Sequence, residues 1–276
     1  MPASNFALVT GASAGIGAAF ARELAARGHS LVLTARRADR LQWLASQLRE
    51  QYDVAIECIA CDLADPTTPQ FLHDEIARRQ LPIGILINNA GCGVTGSFMS
   101  RPWQTHAQFI QLMLVAPTEL CHLFLPGMRA RGRGRIINVA SLAGLVPAPA
   151  GHTLYAASKA YLIKFSQALA LENRAHGVKV CALCPGFTRS EFHDANGTRE
   201  HMQRMPRWMW MAAEPVVRDA LAALERDDVV RVSGRLNRWI KRAFELLPDR
   251  WALQLINRRG RKFRVSDTNA TRKPPA

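Results

Sequence analysis

The sequence predicts an α/β chain, an open parallel sheet of about seven strands with helices on both faces. Three observations carry that expectation. Short apolar, β-branched runs alternate with longer stretches of helical composition from the N-terminus to about residue 234, the pattern of parallel strands covered on both faces by crossover helices. A glycine-rich turn separates the first such run from the first helix. The chemically unusual residues Gly11, Arg36, Asp62, Asn88, Ser141 and Pro185-Gly186 each come directly after a strand, so one crevice at the carboxyl ends of the strands would gather them.

Taken in order, Phe6 to Val9 is the first strand, and Thr10-Gly11-Ala12-Ser13-Ala14-Gly15-Ile16-Gly17 follows at once. Ile16 to Arg27 then has helical composition, with Gly28 as a suitable residue to end it. Strand, glycine turn and helix in this order present backbone N–H groups and a helix N-terminus to a pyrophosphate. Gly11, Ser13, Gly15, Ile16 and Gly17 are therefore the expected cofactor cradle. The second strand, Ser30 to Thr34, runs into Ala35-Arg36-Arg37, with no Asp or Glu before Asp39. In a dinucleotide fold this point faces the adenosine ribose, where a guanidinium matches a 2′-phosphate, so NADP is expected over NAD. The competing reading is that Arg36 and Arg37 only open the exposed helix of Ala38 to Tyr52, whose Leu41, Leu44 and Leu48 form its buried stripe.

Val54 to Cys61 is the third strand, closed by Asp62-Leu63, and Asp65-Pro66 reads as an N-cap with Pro at the first helical position. Ile83 to Ile87 is the fourth, followed by Asn88-Asn89-Ala90-Gly91. Ser100-Arg101-Pro102 leads into a long helix ending near Met128. Arg135 to Val139 is the fifth strand and Val178 to Cys184 the sixth, with Val229 to Gly234 as the last. Between strands five and six, the stretch from Leu154 to Ser166 reads as a helix that stacks Tyr155 and Lys159 on one face. A nearby ammonium favours the ionised phenol, so Lys159 is expected to lower the pKa of Tyr155 and make it a usable acid and base; the competing reading of this spacing is an ordinary amphipathic helix face.

Composition narrows the classes. The chain has 276 residues, 48% of them apolar, and a formal charge of +14, enough length for one large domain with a sizeable core. No run of eighteen apolar residues occurs and the N-terminal residues lack a basic leader, so neither a membrane span nor a secretory signal is expected and the location is taken as cytoplasmic. Two C-x-x-C pairs, Cys58/Cys61 and Cys181/Cys184, fall in strands, where residues three apart point to opposite faces. They are expected to be reduced thiols that hold no metal. Residues 201–276 carry 17 Lys and Arg against 8 Asp and Glu; no nucleic-acid motif accompanies that charge, so no nucleic-acid role is expected.

With these residues laid out, the chain resembles the short-chain dehydrogenase/reductase family from residue 5 to about 192. The resemblance rests on Thr10-Gly11-x-x-x-Gly15-x-Gly17, Asp62, Asn88-Asn89-Ala90-Gly91, Ser141, Tyr155-x-x-x-Lys159 and Pro185-Gly186. It implies a Rossmann-type doubly wound fold, a nicotinamide cofactor and a catalytic group of Ser141, Tyr155 and Lys159. Tyr155 would exchange a proton with the substrate oxygen while hydride moves between substrate carbon and nicotinamide, Ser141 would fix that oxygen, and Lys159 would hold the nicotinamide ribose. The same resemblance implies that Asp62, with Leu63 beside it, meets the adenine, that Asn88, Ala90 and Gly91 line the adenosine ribose, and that Pro185, Gly186, Thr188 and Ser190 meet the carboxamide end. One position departs from the pattern. Met113 stands in the long helix where many relatives have an Asn that anchors a proton-relaying water, and a thioether cannot donate in its place.

Residues 1–234 thus read as the dinucleotide-binding and catalytic domain. Phe192, Met202, Met205, Trp208, Met209, Trp210 and Met211 form a Met/Trp-rich segment that suits a large apolar carbonyl or alcohol substrate; packing on the domain itself is the alternative. Residues 235–265 read as a basic amphipathic helical extension, which either packs on the protein or lies on an anionic membrane surface. The polar residues 266–276 are expected to be unstructured. By resemblance the protein forms a homodimer or homotetramer. The rival to the enzyme reading is a weakly catalytic dinucleotide-binding sensor or partner-binding protein, motivated by Met113 and the C-terminal extension.

Overall fold

The structure is a computed structural model that describes residues 6–94, 96–189 and 206–260. The expectations for Ser190, Phe192, Met202, Met205 and residues 266–276 lie outside the described residues. Seven parallel strands, β1 (Phe6–Thr10), β2 (Leu31–Ala35), β3 (Ile56–Ala60), β4 (Ile83–Asn88), β5 (Gly134–Val139), β6 (Val178–Cys184) and β7 (Val230–Val232), form one sheet in the order β3-β2-β1-β4-β5-β6-β7. The order reverses between β1 and β4. In open α/β sheets the ligand crevice lies at such a switch point, outside the carboxyl ends of the strands.

Alternation along the strands builds two cores. Ala7, Val9, Leu31, Leu33, Ile85 and Ile87 face α1 (Gly15–Ala26), α2 (Ala38–Gln51) and α7 (Ala213–Glu225), against Phe20, Leu24, Leu44 and Val217. Leu8, Val32, Leu86, Ile136 and Val180 face the other way, toward α3 (Thr68–Arg78), α5 (Ala116–Ala130) and α6 (Thr153–Asn173), against Leu72, Phe124, Met128 and Leu169. Fully burying one such side chain stabilises by roughly 1.5–3 kcal/mol, so the two cores hold the strand ends in register beneath the crevice. The cysteine pairs divide between faces as their spacing requires. The Cys58 thiol reaches the Leu41 carbonyl on α2 whereas Cys61 meets Thr34, and Cys181 and Cys184 lie in separate clusters.

Two elements differ from the sequence reading. Helix α3 begins at Thr68, after Thr67 rather than after Asp65. The Asp65 carboxylate instead accepts from the Thr67 backbone N–H at 2.8 Å and from its hydroxyl at 2.7 Å, a turn that competes with helix formation. The long helix, which begins with α4 (Trp103–Ile110), is interrupted before α5 by a π-turn over Gln111–Val115, where the Ala116 N–H reaches back five residues to the Gln111 carbonyl. Pro117 is the physical reason. It lacks an N–H for the Met113 carbonyl and its ring would clash there, so the turn widens. By length and composition residues 103–130 could cross a membrane, but Phe109, Met113, Leu120, Phe124 and Met128 on this helix are buried within the protein.

Beyond β7 the chain forms α8 (Arg235–Leu246) and α9 (Asp249–Gly260). Pro248 separates them, as its place in the sequence suggests.

Candidate active site

The floor of the crevice is the turn after β1. Gly11 has φ +65° and Gly15 φ +55°, and a Cβ on Gly17 would stand 2.2 Å from the Gly11 carbonyl oxygen and 2.5 Å from the Asn89 amide nitrogen. No side chain fits between turn and helix, so a phosphate can approach the bare backbone and the start of α1. Thr10 and Asn89 lock this floor to β4. The Thr10 hydroxyl donates to the Ile87 carbonyl and accepts from the N–H groups of Asn89 and Ala90, both at 2.9 Å, while the Asn89 amide donates to the carbonyls of Thr10 and Gly11. The cradle therefore fits the diphosphate of a dinucleotide.

At the adenosine end, the Arg37 guanidinium donates to the Ser13 hydroxyl at 3.2 Å, which carries a positive charge from the end of β2 onto the glycine turn. Arg36 lies 4.0 Å from the Asp62 carboxylate, both largely exposed, a pair worth little to stability. Asp62 also accepts from the Ala64 N–H at 3.0 Å, and Leu63 is buried in the core below. Ile16 packs on the first core behind the cradle.

Asn88 is placed differently from what its resemblance implied. Its side chain is buried and turned into the protein, donating to Asn138 Oδ1 at 2.9 Å and to the Pro117 carbonyl at 3.2 Å. Asn138 in turn donates to the Ser166 hydroxyl on α6 at 2.8 Å. The two asparagines pair directly across β4 and β5, and Ser166 sits two turns beyond Lys159. This row of buried amides and hydroxyl fastens α6 to the sheet. Sequence reasoning passed over Asn138, Ser166 and the structural role of Asn89.

At the reactive end, Ser141 follows β5 and caps a short turn, its hydroxyl accepting from the Ala143 N–H at 3.1 Å. A Cβ on Gly144 would meet the backbone of Lys159 and Ala160 at 2.6 Å, so this turn packs directly on α6. The contact brings the Ser141 side chain into hydrogen bonding with Tyr155. Lys159 is buried, 5.7 Å from the centre of the Tyr155 ring, and its ammonium donates to the Val139 carbonyl at 2.8 Å. Ser141, Tyr155 and Lys159 thus meet at one point above β5.

Their electrostatics correct the sequence reading. Burial pushes the Tyr155 phenol up, opposed by the Ser141 hydrogen bond, and does not leave it lowered by Lys159. Lys159 itself is pushed down to about 8 by burial, with the Cys184 and Cys92 thiols acting the other way. At neutral pH the phenol keeps its proton, beside an amine close to its own titration.

Pro185 and Gly186 continue from β6, with the Pro185 carbonyl accepting from the Leu142 N–H at 2.9 Å and so joining this loop to the Ser141 turn. Thr188 is buried, donates to the Gly186 carbonyl at 3.2 Å and bridges to Met211. Phe187 and Trp210 stack obliquely with centroids 5.7 Å apart, an apolar wall at this end. Met113 is buried under Gly91, and its sulfur accepts from the Cys92 N–H at 3.4 Å.

A sheet with its switch point between β1 and β4, a bare glycine turn and a Ser-Tyr-Lys cluster at the other end of one crevice define a Rossmann-type dinucleotide-binding fold. The model of the short chain dehydrogenase family matches residues 5–201, and the chain belongs to that family. It is 34% identical over 192 residues to a very-long-chain 3-oxoacyl-CoA reductase of Anas platyrhynchos, covering 67% of this chain and 60% of the relative. It is 36% identical over 207 residues to an uncharacterized oxidoreductase of Bacillus subtilis, covering 70% of this chain and 76% of the relative. The chain spans little more than half the length of several of the reductases it matches, 53% for that of Pyrenophora tritici-repentis. A short-chain dehydrogenase from Sphingobium yanoikuyae, solved with NADPH, superposes with a TM-score of 0.77 at 32% identity over 89% of this chain and 97% of the other. A bulky-bulky ketone specific alcohol dehydrogenase from Comamonas testosteroni gives 0.73 at 32% identity over 89% and 95%.

Proposed function

We propose that this chain is an NADPH-dependent reductase of a bulky, hydrophobic ketone, with Ser141, Tyr155 and Lys159 as its catalytic residues. The observation that carries the reading is the meeting of those three side chains over β5, in a crevice whose far end holds Arg37 on Ser13. A bound reduced nicotinamide would supply the hydride. Tyr155, which burial keeps protonated, gives its proton to the carbonyl oxygen as the carbon receives hydride, so ketone becomes alcohol. The Ser141 hydroxyl donates to the same oxygen where negative charge develops. Lys159, near its own titration point, returns a proton to the phenolate and anchors the nicotinamide ribose.

Arg37 supports NADPH over NADH, since a guanidinium–phosphate pair is strong and a neutral ribose offers it little. The Phe187–Trp210 wall supports a large apolar substrate, in keeping with the substrates for which two relatives are named, a very-long-chain 3-oxoacyl-CoA and a bulky-bulky ketone. Cofactor contacts follow the cradle: Gly11, Ser13, Gly15, Ile16 and Gly17 at the diphosphate, Arg36, Arg37, Asp62 and Leu63 at the adenosine, Asn88 through its backbone with Ala90 and Gly91 at the ribose, and Pro185, Gly186, Thr188 and Ser190 at the carboxamide. The half-exposed Tyr161, bonded to Thr118 across α5 and α6, supports subunit pairing through these helices.

The test is a turnover and binding pair. Tyr155→Phe should lower ketone reduction by about 100 to 10,000-fold while NADPH fluorescence titration stays near wild type. Arg37→Ala should weaken NADPH by about 10- to 100-fold, as for a lost hydrogen bond between charged groups, and leave NADH unchanged. Equal loss of binding and turnover in Tyr155→Phe would remove its assigned role.

A further inference from the structure

We infer that the outer face of α8, continued by α9, is a docking surface for an anionic lipid bilayer, set beside the substrate end of the crevice. The inference starts from a mismatch within α8. At about 100° per residue, Leu246, Trp239, Ala243, Leu236, Ile240 and Phe244 follow one another around nearly half of the helix. The helix packs on the protein at one edge of that arc. Asn237 is the buried residue of α8, its amide donating to the Ser233 carbonyl at 2.7 Å and approaching the Met211 sulfur at 3.5 Å. Ile240 and Phe244 are partly buried beside that contact, whereas Leu236, Ala243, Trp239 and Leu246 face outward, with Trp239 69% and Leu246 86% exposed. On helix α9, Trp251 and Leu255 lie one turn apart on one side, 54% and 36% exposed. An apolar face of this extent, turned away from its own core, calls for a partner.

Charge identifies the partner. Residues 235–264 carry ten Lys and Arg against only Glu245 and Asp249. Arg235 and Arg242 are exposed along the edge of the arc next to Trp239 and Leu246. Apolar side chains flanked by arginines match a surface of anionic headgroups over hydrocarbon. A second copy of this face would bring like charge against like charge. Position supplies the reason for such a site. Asn237 wedges between Met211 and Gly186, where a Cβ on Gly186 would stand 2.4 Å from it, so the inner side of α8, opposite Trp239 and Leu246, packs on the chain that runs from Gly186 to Thr188. A hydrophobic ketone dissolved in the bilayer would enter the crevice from there. That purpose rests on the proposed substrate class, but the docking does not.

The experiment is sedimentation of the full chain with vesicles of phosphatidylcholine alone or with about one-third phosphatidylserine, followed by raised salt. Binding should require the anionic lipid and fall with salt. Trp239→Ser with Leu246→Ser should weaken it about a hundredfold or more, and Arg235→Gln with Arg242→Gln about thirtyfold. Both variants should keep wild-type NADPH binding and reduction of a water-soluble ketone, which separates lost docking from misfolding and from failure of the reductase reading. No sedimentation with any vesicle, equal sedimentation with neutral vesicles, or wild-type sedimentation of both variants overturns the inference. So does a change from dimer to monomer in Trp239→Ser/Leu246→Ser without vesicle binding, which would mark the face as a contact between copies.

Discussion

Lys159→Met should separate stability from activity in a pH-dependent way. In the folded chain burial holds the Lys159 ammonium at about 8, against 10.5 for a lysine in water. At 1.36 kcal/mol per pKa unit, charging it in place costs about 3 kcal/mol. The sign follows from proton binding. Between about pH 8 and 10.5 the unfolded chain holds the proton and the folded chain has lost it, so wild-type stability rises with pH through this window. Below it both states are charged and the whole penalty is present. Methionine removes the charge and keeps an unbranched side chain, at the loss of the bond to the Val139 carbonyl. Urea unfolding of cofactor-free protein at pH 7 and near pH 10 measures the difference between variant and wild type, which cancels every other titrating group. That difference should shift toward wild type by about 3 kcal/mol as pH rises, while the variant has little reductase activity at either pH. A difference that stays constant with pH would refute the reasoning, because Lys159 would then be as well solvated in the folded chain as in the unfolded one.

The other consequences concern the cradle and the direction of reaction. Gly17→Ala should abolish NADPH binding in a fluorescence titration, because the added methyl would stand 2.2 Å from the Gly11 oxygen and force the turn out of place. Ketone reduction should decline as pH rises through about 8, where Lys159 loses the proton it returns to Tyr155, whereas alcohol oxidation should rise only at higher pH, where the phenol, held up by burial, ionises. A pH profile in both directions checks this, and parallel profiles would count against it.

Much of this fold is legible because the central strands β1, β2, β4 and β6 are buried on both faces and most crossover helices are amphipathic, so periodicity and glycine placement agree. Strand ends and helical spacing mark Ser141, Tyr155 and Lys159 as positions of interest, but the family resemblance is needed to join them into one group. Spacing gives adjacency but not solvation, and for that reason the Tyr155 phenol came out shifted upward rather than downward. Which of Asn88 and Asn89 turns inward depends on the residue at which β4 ends, and parity flips with a one-residue change. Asn138 and Ser166 gave no local signal, since a polar residue in a strand and another in a helix reveal their bond only when the two are packed. The π-turn had a signal that went unread: Pro117 stands four residues after Met113, the one spacing at which proline removes the helix hydrogen bond to that carbonyl.

That same proline decides what Met113 means for the site. The widened turn at 111–115 arises from the backbone of Pro117 and does not require an asparagine at 113. Met113 is 1% exposed, and its sulfur fills the space under Gly91 and takes the Cys92 N–H, holding the turn that the ribose would meet. An amide there would leave its own donors short of partners among Gly91, Cys92 and the helix, at a cost of about 1–3 kcal/mol for an unsatisfied buried polar group. Met113→Asn should therefore lower the unfolding free energy in urea by about that amount and change reductase turnover by less than about tenfold, well below the loss typical of a missing acid or base. A large gain in turnover from near zero would instead mean that the chain, as it stands, lacks a working proton path and binds its dinucleotide chiefly as a sensor.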